Sequence, residues 1–498
     1  QKFAATGDSQ VNGGWAAHVH FQIITDLLGN DGNFPGAGEP TWMHIWRAIT
    51  PDANLILGMP EETFAQHGRS KPQIMRDRQR LLGPSLSVNH RENPLKILRG
   101  QGAYLIDESG RAYLDCVNNI SHVGHGHPKV VQAISQQAAR LNTNSRYLHD
   151  NIVDYAERLT ARLPEPLSVC FFVNSGSEAN ELALRLARSY TGRQAVVVQD
   201  HAYHGHSSSL IDMSPYKFDR KGGAGQQDWV RKASLPDPYR GRFKGYGLEA
   251  GRAYAQTLLP AIEALEKAGR PPALFIAESL PGVGGQIIYP DGYLAAAYAI
   301  ARAKGLVCIA DEVQVGFGRV GETFWGFELQ GVTPDIVTLG KPIANGHPMA
   351  AVVTTPAIAQ AFANGMEYFN SFGGNPVSCA AALAVLDVIA EEGLQQQAAE
   401  VGAHTLTRLK ELQTRHRLIG DVRGKGLFLG AELVKDRESL EPATAQAAHI
   451  VGQLRNAGYL LSTDGPLDNV LKLKPPMVFS KQQSDLVMDE LDRVLSGL

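Results

Sequence analysis

The sequence predicts an α/β fold, in which a large domain with a mostly parallel central sheet is followed by a smaller α+β domain. Three observations support this prediction. Short apolar runs recur along the chain, helical segments lie between them, and the part beyond about residue 385 is rich in helix. Strands that are apolar throughout suit a parallel sheet that helices cover on both faces.

Five continuous apolar runs are the predicted strands of the central sheet, because each has the length of a strand and ends at small or polar residues. They span residues 169–173, 195–198, 273–277, 306–310 and 336–339. Helices are predicted between them, for example over 179–190 and 293–304. Nearer the N-terminus, residues 102–107 and 111–115 predict a hairpin with its turn at Glu108-Ser109-Gly110.

Composition and periodicity divide the chain into five predicted segments. Residues 1–58 are rich in Gly, Trp and His and form a short β-rich N-terminal segment. Residues 59–92 are a linker with a basic amphipathic helix over 69–82, which ends at Gly83-Pro84. Residues 93–145 begin the main fold, 146–385 form the large domain, and 386–498 form the small C-terminal domain. That domain is expected to hold strands near 426–430 and 470–474 and a final amphipathic helix.

The bulk composition excludes several classes of protein. The net charge of the 498 residues is -3, so we expect neither nucleic acid nor an anionic membrane as a partner. The four cysteines are scattered without a C-x-x-C spacing, which predicts reduced core residues. No apolar run has the length of a membrane span and no signal peptide opens the chain, so a cytoplasmic location is expected. The chain begins at Gln1 without a methionine, which suggests part of a longer polypeptide or a trimmed product.

Polar residues follow the predicted strands at the edge of the sheet where α/β proteins bind their ligands. The first run leads into Asn174-Ser175-Gly176-Ser177-Glu178, whose small residues leave backbone amides free at a helix start. This loop suits a phosphate group, although simple capping, with Ser175 and Glu178 as a capping box, is an alternative. The next run leads to Tyr203, an aromatic ring that could stack on a flat ligand. The histidines around Tyr203 match no zinc spacing.

Two charged residues follow later strands at the same edge. Asp311 is either an ordinary cap or a partner for a protonated ring nitrogen. Lys341 stands between Gly340 and Pro342, where a helix cannot continue, so its amine is held at the edge of the sheet.

Together these segments resemble the class III (fold-type I) aminotransferases, and the resemblance runs from about residue 93 to the C-terminus. The motifs that carry it are Asn174-Ser-Gly-Ser-Glu-Ala-Asn, Ala202-Tyr-His-Gly-His, Ala310-Asp-Glu-Val-Gln-Val-Gly-Phe-Gly-Arg, Leu339-Gly-Lys-Pro and Ser371-Phe-Gly-Gly-Asn-Pro. The resemblance implies the cofactor pyridoxal 5′-phosphate and a homodimer, or a dimer of dimers, with shared active sites.

The resemblance also implies a role for individual residues. Lys341 would carry the cofactor as an internal aldimine and act as a base, and Asp311 would hold the pyridine nitrogen protonated. Tyr203 and Val313 would enclose the ring, with Gln314 near its phenolic oxygen. Further implied cofactor contacts are Ser175, Gly176, Ser177 and His204, with Ser371 reaching in from a second subunit. Glu278 is implied as a further catalytic residue.

The substrate-side residues depart from those of many transaminases. Val283 stands where many members have Glu, and Lys472 stands where they have a carboxylate-binding Arg. Strand alternation puts Lys472 and Lys474 on one face, where two lysines can bind an anion or simply be solvated. Loss of the Glu and Arg together favours phosphate. Lys472, Lys474 and Arg146 are the predicted phosphate ligands.

The blocks 141–152, 211–218 and 462–466 resemble the ethanolamine-phosphate and phosphohydroxylysine phospho-lyases, a branch of this fold. The preferred interpretation is therefore an enzyme that eliminates phosphate from an O-phosphorylated amino alcohol to give an aldehyde and ammonia. The alternative is a transaminase that moves an amino group between an amine or amino acid and a keto acid or aldehyde. A non-catalytic binding module is a third hypothesis, which the intact Lys341 and Asp311 disfavour.

The N-terminal segment carries a resemblance of its own. Residues 14–22, with His18 and His20, resemble the His-x-His segment of lysostaphin-type zinc peptidases. The partner ligands of that family would lie upstream, and one or two histidines cannot build a zinc site, so no metal is expected. The arrangement also resembles bacterial fusions of a kinase-like, a lysostaphin-like and a class III domain.

Overall fold

The computed structural model describes residues 68–91 and 93–498. The N-terminal segment predicted over 1–58, with its two histidines, lies outside the described residues, as does most of the predicted linker. The described chain divides into two compact units, one of residues 68–98 with 106–112 and one of residues 99–105 with 113–498.

In the first unit, helix α1 (Lys71–Leu81) confirms the predicted basic helix. Ser70 caps it, and the side chains of Ser70 and Gln73 each accept from the backbone N–H of the other. This reciprocal capping, together with Pro72 in the first turn, explains why the helix begins at Lys71. Within the same unit, Glu108 lies 3.4 Å from the amine of Lys71.

Fifteen strands are present among the described residues. They are β1 (Ile97–Gln101), β2 (Tyr104–Asp107), β3 (Ala112–Asp115), β4 (Val169–Val173), β5 (Ala195–Gln199), β6 (Val230–Ala233), β7 (Pro272–Glu278), β8 (Val307–Asp311), β9 (Ile336–Leu339), β10 (Ala350–Thr354), β11 (Ile419–Lys425), β12 (Phe428–Leu433), β13 (Tyr459–Leu460), β14 (Ser462–Asp464) and β15 (Val470–Leu473). All five predicted core strands, the hairpin and both C-terminal strands are confirmed.

The α-helices of the second unit cover and connect these strands. They are α2 (Pro128–Arg140), α3 (Asp150–Thr160), α4 (Gly176–Thr191), α5 (Ser208–Asp212), α6 (Pro215–Phe218), α7 (Leu248–Gln256), α8 (Leu258–Lys267), α9 (Tyr293–Ala303), α10 (Pro356–Phe362), α11 (Pro376–Glu391), α12 (Leu394–Arg415), α13 (Thr444–Ala457) and α14 (Lys481–Ser496). The predicted boundary between residues 385 and 386 falls inside α11, so the chain passes into its C-terminal part without a break in this helix.

The central sheet has seven strands in the order β4-β10-β9-β8-β7-β5-β6. Strands β6, β5, β7, β8 and β9 are parallel, which confirms the predicted mostly parallel sheet. Strand β10, which the sequence did not reveal, is antiparallel to both of its neighbours. The connection between β9 and β10 covers only residues 340–349, and a parallel crossover needs about a dozen residues or more.

The two faces of this sheet bury different sets of side chains, because successive strand residues point to opposite faces. Val196 and Val198 pack in one cluster with apolar residues of α4. Ala195 and Val197 pack in another cluster, to which α7, α8 and α9 contribute. Burial on both faces explains why these strands are apolar throughout.

The C-terminal part has a four-stranded antiparallel sheet in the order β11-β12-β15-β14. Helix α12 packs against β11 of this sheet, and α14 packs against α12 and α13, which gives the predicted α+β arrangement. No helix of the described residues combines the length and the apolar character needed to span a bilayer.

Candidate active site

The carboxyl ends of three parallel strands bring the predicted site residues together. Glu278 ends β7 and is directly opposite Asp311, which ends β8. Asp311 is in turn opposite Thr338 on β9, and Lys341 follows that strand by two residues. Glu278, Asp311 and Lys341 all line one cavity of about 300 Å³, so three residues far apart in sequence share a single site.

Asp311 is buried and held by three donors. Its Oδ2 accepts from the side-chain nitrogen of Asn180 and from Nδ1 of His204, each at 2.8 Å, and its Oδ1 accepts from the Val313 N–H at 3.1 Å. Asn180 also donates to the carbonyl oxygen of His204. Oδ1 therefore keeps a free lone pair at the cavity, which suits a charged N–H donor of a ligand.

Glu278 is a buried carboxyl beside that of Asp311. Burial first, and the negative charge of Asp311 second, raise the pKa of Glu278 to about 7. One oxygen accepts from the Gly282 N–H at 3.0 Å, and the other lies 3.5 Å from the Tyr203 N–H. The group is thus placed to hold or release a proton near neutral pH.

Lys341 presents its amine to this pair of carboxyls. Burial, with the nearby charge of Lys472, lowers the pKa of Lys341, whereas Asp311 and Glu278 act in the opposite direction. Within the described part of the chain, the Lys341 amine has neither a hydrogen-bond nor an ion-pair partner. A buried amine with a lowered pKa and no partner is available as a nucleophile and as a base.

The start of α4 also lines the cavity. Ser175 is the N-cap and its hydroxyl accepts from the Glu178 N–H at 3.1 Å. The predicted capping box is half wrong, because the Glu178 carboxylate accepts from the Asn174 N–H rather than from that of Ser175. The N–H groups of Gly176 and Ser177 donate to no described residue, so this helix start offers two free donors to an anion.

Val313 packs between the two loops that border the cavity. A Cβ added at Gly176 or at Gly340 would lie 2.9 Å from a methyl carbon of Val313. The two glycines therefore let their backbones approach Val313 closely. Tyr203, half-buried, lines the same cavity. The arrangement leaves room for a flat ring between apolar and aromatic walls.

Two further lysines carry positive charge to this site from β15 and the residue after it. Lys474 is buried, and its ammonium donates to Oε1 of Gln314 at 2.8 Å. Burial, with the charges of Lys472 and Lys341, lowers the pKa of Lys474 to about 7. Lys472 lies 3.1 Å from the carboxylate of Asp464. Since the charge of Lys472 lowers the pKa of both Lys341 and Lys474, the three amines belong to one electrostatic site.

Four of the predicted residues do not line the cavity of this chain: Lys472, Lys474, Arg146 and Ser371. Arg146 is exposed, pairs with Glu367 at 2.8 Å and lies over the ring of Phe369, whereas the contacts of Lys472 and Lys474 are with Asp464 and Gln314. The structure therefore does not group Arg146 with the two lysines. Ser371 is exposed and does not line the cavity, and its contribution from a second subunit stays a prediction.

Several residues of the site carried no assignment from sequence. Asn180 stands one helical turn after Ser177, a spacing that places both on one face of α4 and could have revealed it. Gln286 is buried at a positive φ of 55° and donates to both the Gly282 carbonyl and Asp464. Asn119, which donates to Gln314 at 3.3 Å, had no sequence signal.

Two further predictions concerned metal ions and the state of the cysteines. Among residues 68–91 and 93–498, no group of three or more His, Cys, Asp or Glu side chains is placed to hold a metal ion. The cysteines Cys116, Cys170, Cys308 and Cys379 are free thiols, and all but Cys170 are fully buried, as predicted for core residues.

Comparisons with known proteins agree with this geometry. The family described as "Aminotransferase class-III" matches residues 85–495. The chain is 53% identical over 421 residues to the "Alanine--glyoxylate aminotransferase 2-like" protein of Drosophila melanogaster, covering 84% of this chain and 85% of the relative. It is 41% identical over 449 residues to "Ethanolamine-phosphate phospho-lyase homolog 1" of Caenorhabditis elegans, and the match covers 88% of this chain and 96% of the relative.

Among solved structures, a phospholyase from Arthrobacter in complex with phosphoethanolamine superposes with a TM-score of 0.81 at 38% identity. The match covers 85% of this chain and all of that one.

Proposed function

The chain belongs to the class III aminotransferase family of pyridoxal-phosphate enzymes, and we propose that it is a phospho-lyase acting on a small O-phosphorylated amino alcohol such as phosphoethanolamine. The overall reaction consumes the phosphorylated amine and one water and releases an aldehyde, ammonia and inorganic phosphate. The observation that carries the proposal is Lys472, whose positive charge acts on the Lys341 amine, with Lys474 beside it as a second basic group whose pKa is about 7.

The residues around the cavity fit the family's cofactor. The free N–H groups of Gly176 and Ser177 suit its phosphate, and the free lone pair on Asp311 suits its protonated ring nitrogen. Lys341 has an unpartnered amine for covalent attachment. Bound pyridoxal phosphate supplies an electron-withdrawing ring that makes the hydrogen on the carbon next to a substrate's nitrogen acidic.

The protein's own groups divide the remaining work. The Nζ atom of Lys341 accepts the proton from the carbon, because burial has lowered the pKa of this amine. Asp311 is held in place at the cavity by hydrogen bonds from Asn180 and His204. Glu278, with a pKa of about 7, can take up or return a proton beside them.

Lys472 is the residue that we assign to the substrate's phosphate. Its ammonium has three donors and is paired with Asp464 in the chain as described, so two donors are left for a ligand. Lys474, whose pKa is about 7, adds a second positive charge only in its protonated form. A phosphate monoester carries about -1.5 to -2 charges at neutral pH, whereas a carboxylate carries one, so a dianion close to Lys474 would favour that protonated form more strongly.

The alternative function is transamination between an amine or amino acid and a keto acid or aldehyde. The observation in its favour is the 53% identity to a relative named as an alanine–glyoxylate aminotransferase 2-like protein. Lys472 could then bind a substrate carboxylate with the same ammonium.

The two functions differ in a product that is simple to measure. Holoenzyme incubated with phosphoethanolamine should release inorganic phosphate and ammonia in equal amounts. Release of neither, with conversion of the cofactor to its amine form or amino transfer from alanine to glyoxylate, would favour the transaminase.

A matched pair of variants tests the assignment of Lys472. Lys472→Met should raise the KM for phosphoethanolamine about 10- to 150-fold, since a hydrogen bond to a charged group contributes roughly 1.5–3 kcal/mol. Lys481→Met is the control, because Lys481, the first residue of α14, is exposed and pairs with Glu400. An unchanged KM in Lys472→Met would show that the phosphate binds elsewhere.

A further inference from the structure

We propose that Lys474 and Asn119 are positioning residues that orient the side-chain amide of Gln314, so that its nitrogen, and not its oxygen, faces the bound cofactor. The inference rests on the family's cofactor and holds for a phospho-lyase and a transaminase alike.

Two donors converge on one atom of Gln314. Lys474 Nζ lies 2.8 Å from Oε1, and Asn119 Nδ2 lies 3.3 Å from the same oxygen. Both donors are buried, and neither lines the cavity, whereas Gln314 does. The oxygen of Gln314 is therefore engaged by groups behind the cavity wall.

The chemistry of Lys474 decides which end of the amide faces it. An ammonium has three donors and no acceptor, so only the oxygen of Gln314 can bond to it. Once the oxygen is engaged, the amide nitrogen is the end left over, and Nε2 of Gln314 donates to no described residue. The loop above leaves it little freedom, because a Cβ at Gly282 would be 3.0 Å from Nε2 and 3.2 Å from Lys474 Nζ.

The orientation matters for the ring that the site holds. The resemblance to class III enzymes implies that Gln314 would lie beside the phenolic oxygen of the ring. This oxygen can carry a negative charge, and its pKa depends on the group that faces it. An N–H donor stabilises an anionic oxygen and lowers its pKa, whereas an amide oxygen in the same place would raise it. Lys474 and Asn119 therefore act on the cofactor through Gln314, without touching it.

Four charged groups act on Lys474 and set the dependence of this arrangement on pH. The charges that act on Lys474 are Lys472 and Lys341, which lower its pKa, and Asp464 and Glu278, which raise it. Burial is the largest cause, and the pKa of Lys474 is about 7. A neutral amine can accept a hydrogen bond as well as donate one, so the orientation is most strongly enforced below this pH.

The test is a titration of the holoenzyme's visible absorption against pH, without substrate. Lys474→Met and Asn119→Ala should each raise the pH midpoint of the absorbance change by about 1–2 units, since a hydrogen bond to a charged group contributes roughly 1.5–3 kcal/mol and one unit equals about 1.4 kcal/mol. Lys481→Met, at an exposed position, should leave the midpoint unchanged.

A double-variant cycle with Gln314→Ala separates positioning from a direct effect of charge. If Lys474 acts through Gln314, adding Lys474→Met to Gln314→Ala should move the midpoint no further. An equal shift in both backgrounds would overturn the proposal, since it would mean that the Lys474 charge acts on the cofactor by itself. If Lys474→Met does not fold, the same cycle is measured with Asn119→Ala in place of Lys474→Met. An unshifted midpoint in Asn119→Ala would also overturn the proposal.

Discussion

The side chain of Val313 fills the space that a side chain at Gly176 would need. The nearest Val313 methyl carbon lies 2.9 Å from the position of an added Cβ, closer than carbon atoms pack without displacement. Gly176 opens the helix whose free N–H groups suit a phosphate, and Val313 follows Asp311 by two residues. The absence of a side chain at Gly176 therefore lets the start of α4 lie close to Val313.

Gly176→Ala should weaken binding of pyridoxal phosphate, because the new methyl group must displace either Val313 or the start of α4. Forced overpacking typically costs about 1–3 kcal/mol, which corresponds to a roughly 5- to 150-fold higher dissociation constant. Fluorescence titration of the apoenzyme with the cofactor measures it. The double variant Gly176→Ala/Val313→Ala should recover much of the affinity, and failure of that rescue would mean that the clash is not the cause.

Lys341→Ala should abolish covalent attachment of the cofactor. Borohydride reduction followed by intact-protein mass measurement should show the cofactor's mass on the unmodified chain and not on the variant. Turnover should fall by at least about 10²- to 10⁴-fold, the contribution typical of a positioned base. Lys129→Ala serves as the control, since this lysine pairs with Asp387 and Glu391 at the surface. Undiminished turnover in Lys341→Ala would contradict the whole assignment.

Glu312→Gln should change how stability depends on pH. Burial raises the pKa of Glu312 from its ordinary value of 4.5 to about 7, against hydrogen bonds from the N–H groups of Gly326 and Phe327. Between these two values the unfolded chain has lost this proton while the native chain keeps it. The free energy of unfolding therefore falls as pH rises through this window, by up to about 3 kcal/mol, and Glu312 causes no further loss above pH 7.

The difference in Tm between Glu312→Gln and the unmodified protein should accordingly become more positive from pH 5 to pH 8. Any constant offset from the altered hydrogen bonds drops out of this comparison. Glu263→Gln, on the exposed face of α8, should show no such trend. A difference in Tm that stays constant with pH would mean that Glu312 ionises normally in the native chain.

Arg423→Met should destabilise the C-terminal part strongly. Arg423 is buried, with its guanidinium 2.8 Å from Glu432 and 2.6 Å from Asp421, and it also donates to the Gly285 carbonyl. Removing Arg423 leaves buried Glu432 with Arg240 as its remaining cation and takes the ion-pair partner from Asp421. Breaking a buried pair typically costs about 3–5 kcal/mol, which is the upper bound here because Arg240 stays in place. Urea denaturation followed by circular dichroism measures the loss.

The matched control is Lys425→Met, two residues along the same strand. Its ion pair with Glu322 is exposed on both sides, so the loss should stay below about 1 kcal/mol. Equal losses in the two variants would show that burial does not govern these pairs.

Much of the fold could be predicted from local patterns. The five core strands were recognisable because burial on both faces makes them continuously apolar, and Asp311 and Lys341 because they directly follow such strands. The hairpin and α1 were recognisable from turn and capping residues, whose chemistry acts over three or four positions.

The sequence by itself thus predicted the five core strands and, through resemblance, the order of the motifs and the cofactor, with Lys341 as its predicted point of attachment. Only the tertiary structure decided that Lys474 bonds to Gln314, that Gln286 bonds to Asp464, and that Arg146 turns to Glu367 instead of the site. The lowered pKa of Lys474 and the raised pKa of Glu278 also depend on the tertiary structure. The physical reason is distance along the sequence. Strand and cap preferences depend on neighbours a few residues away. The three contacts join residues more than a hundred positions apart, and burial depends on how whole elements pack.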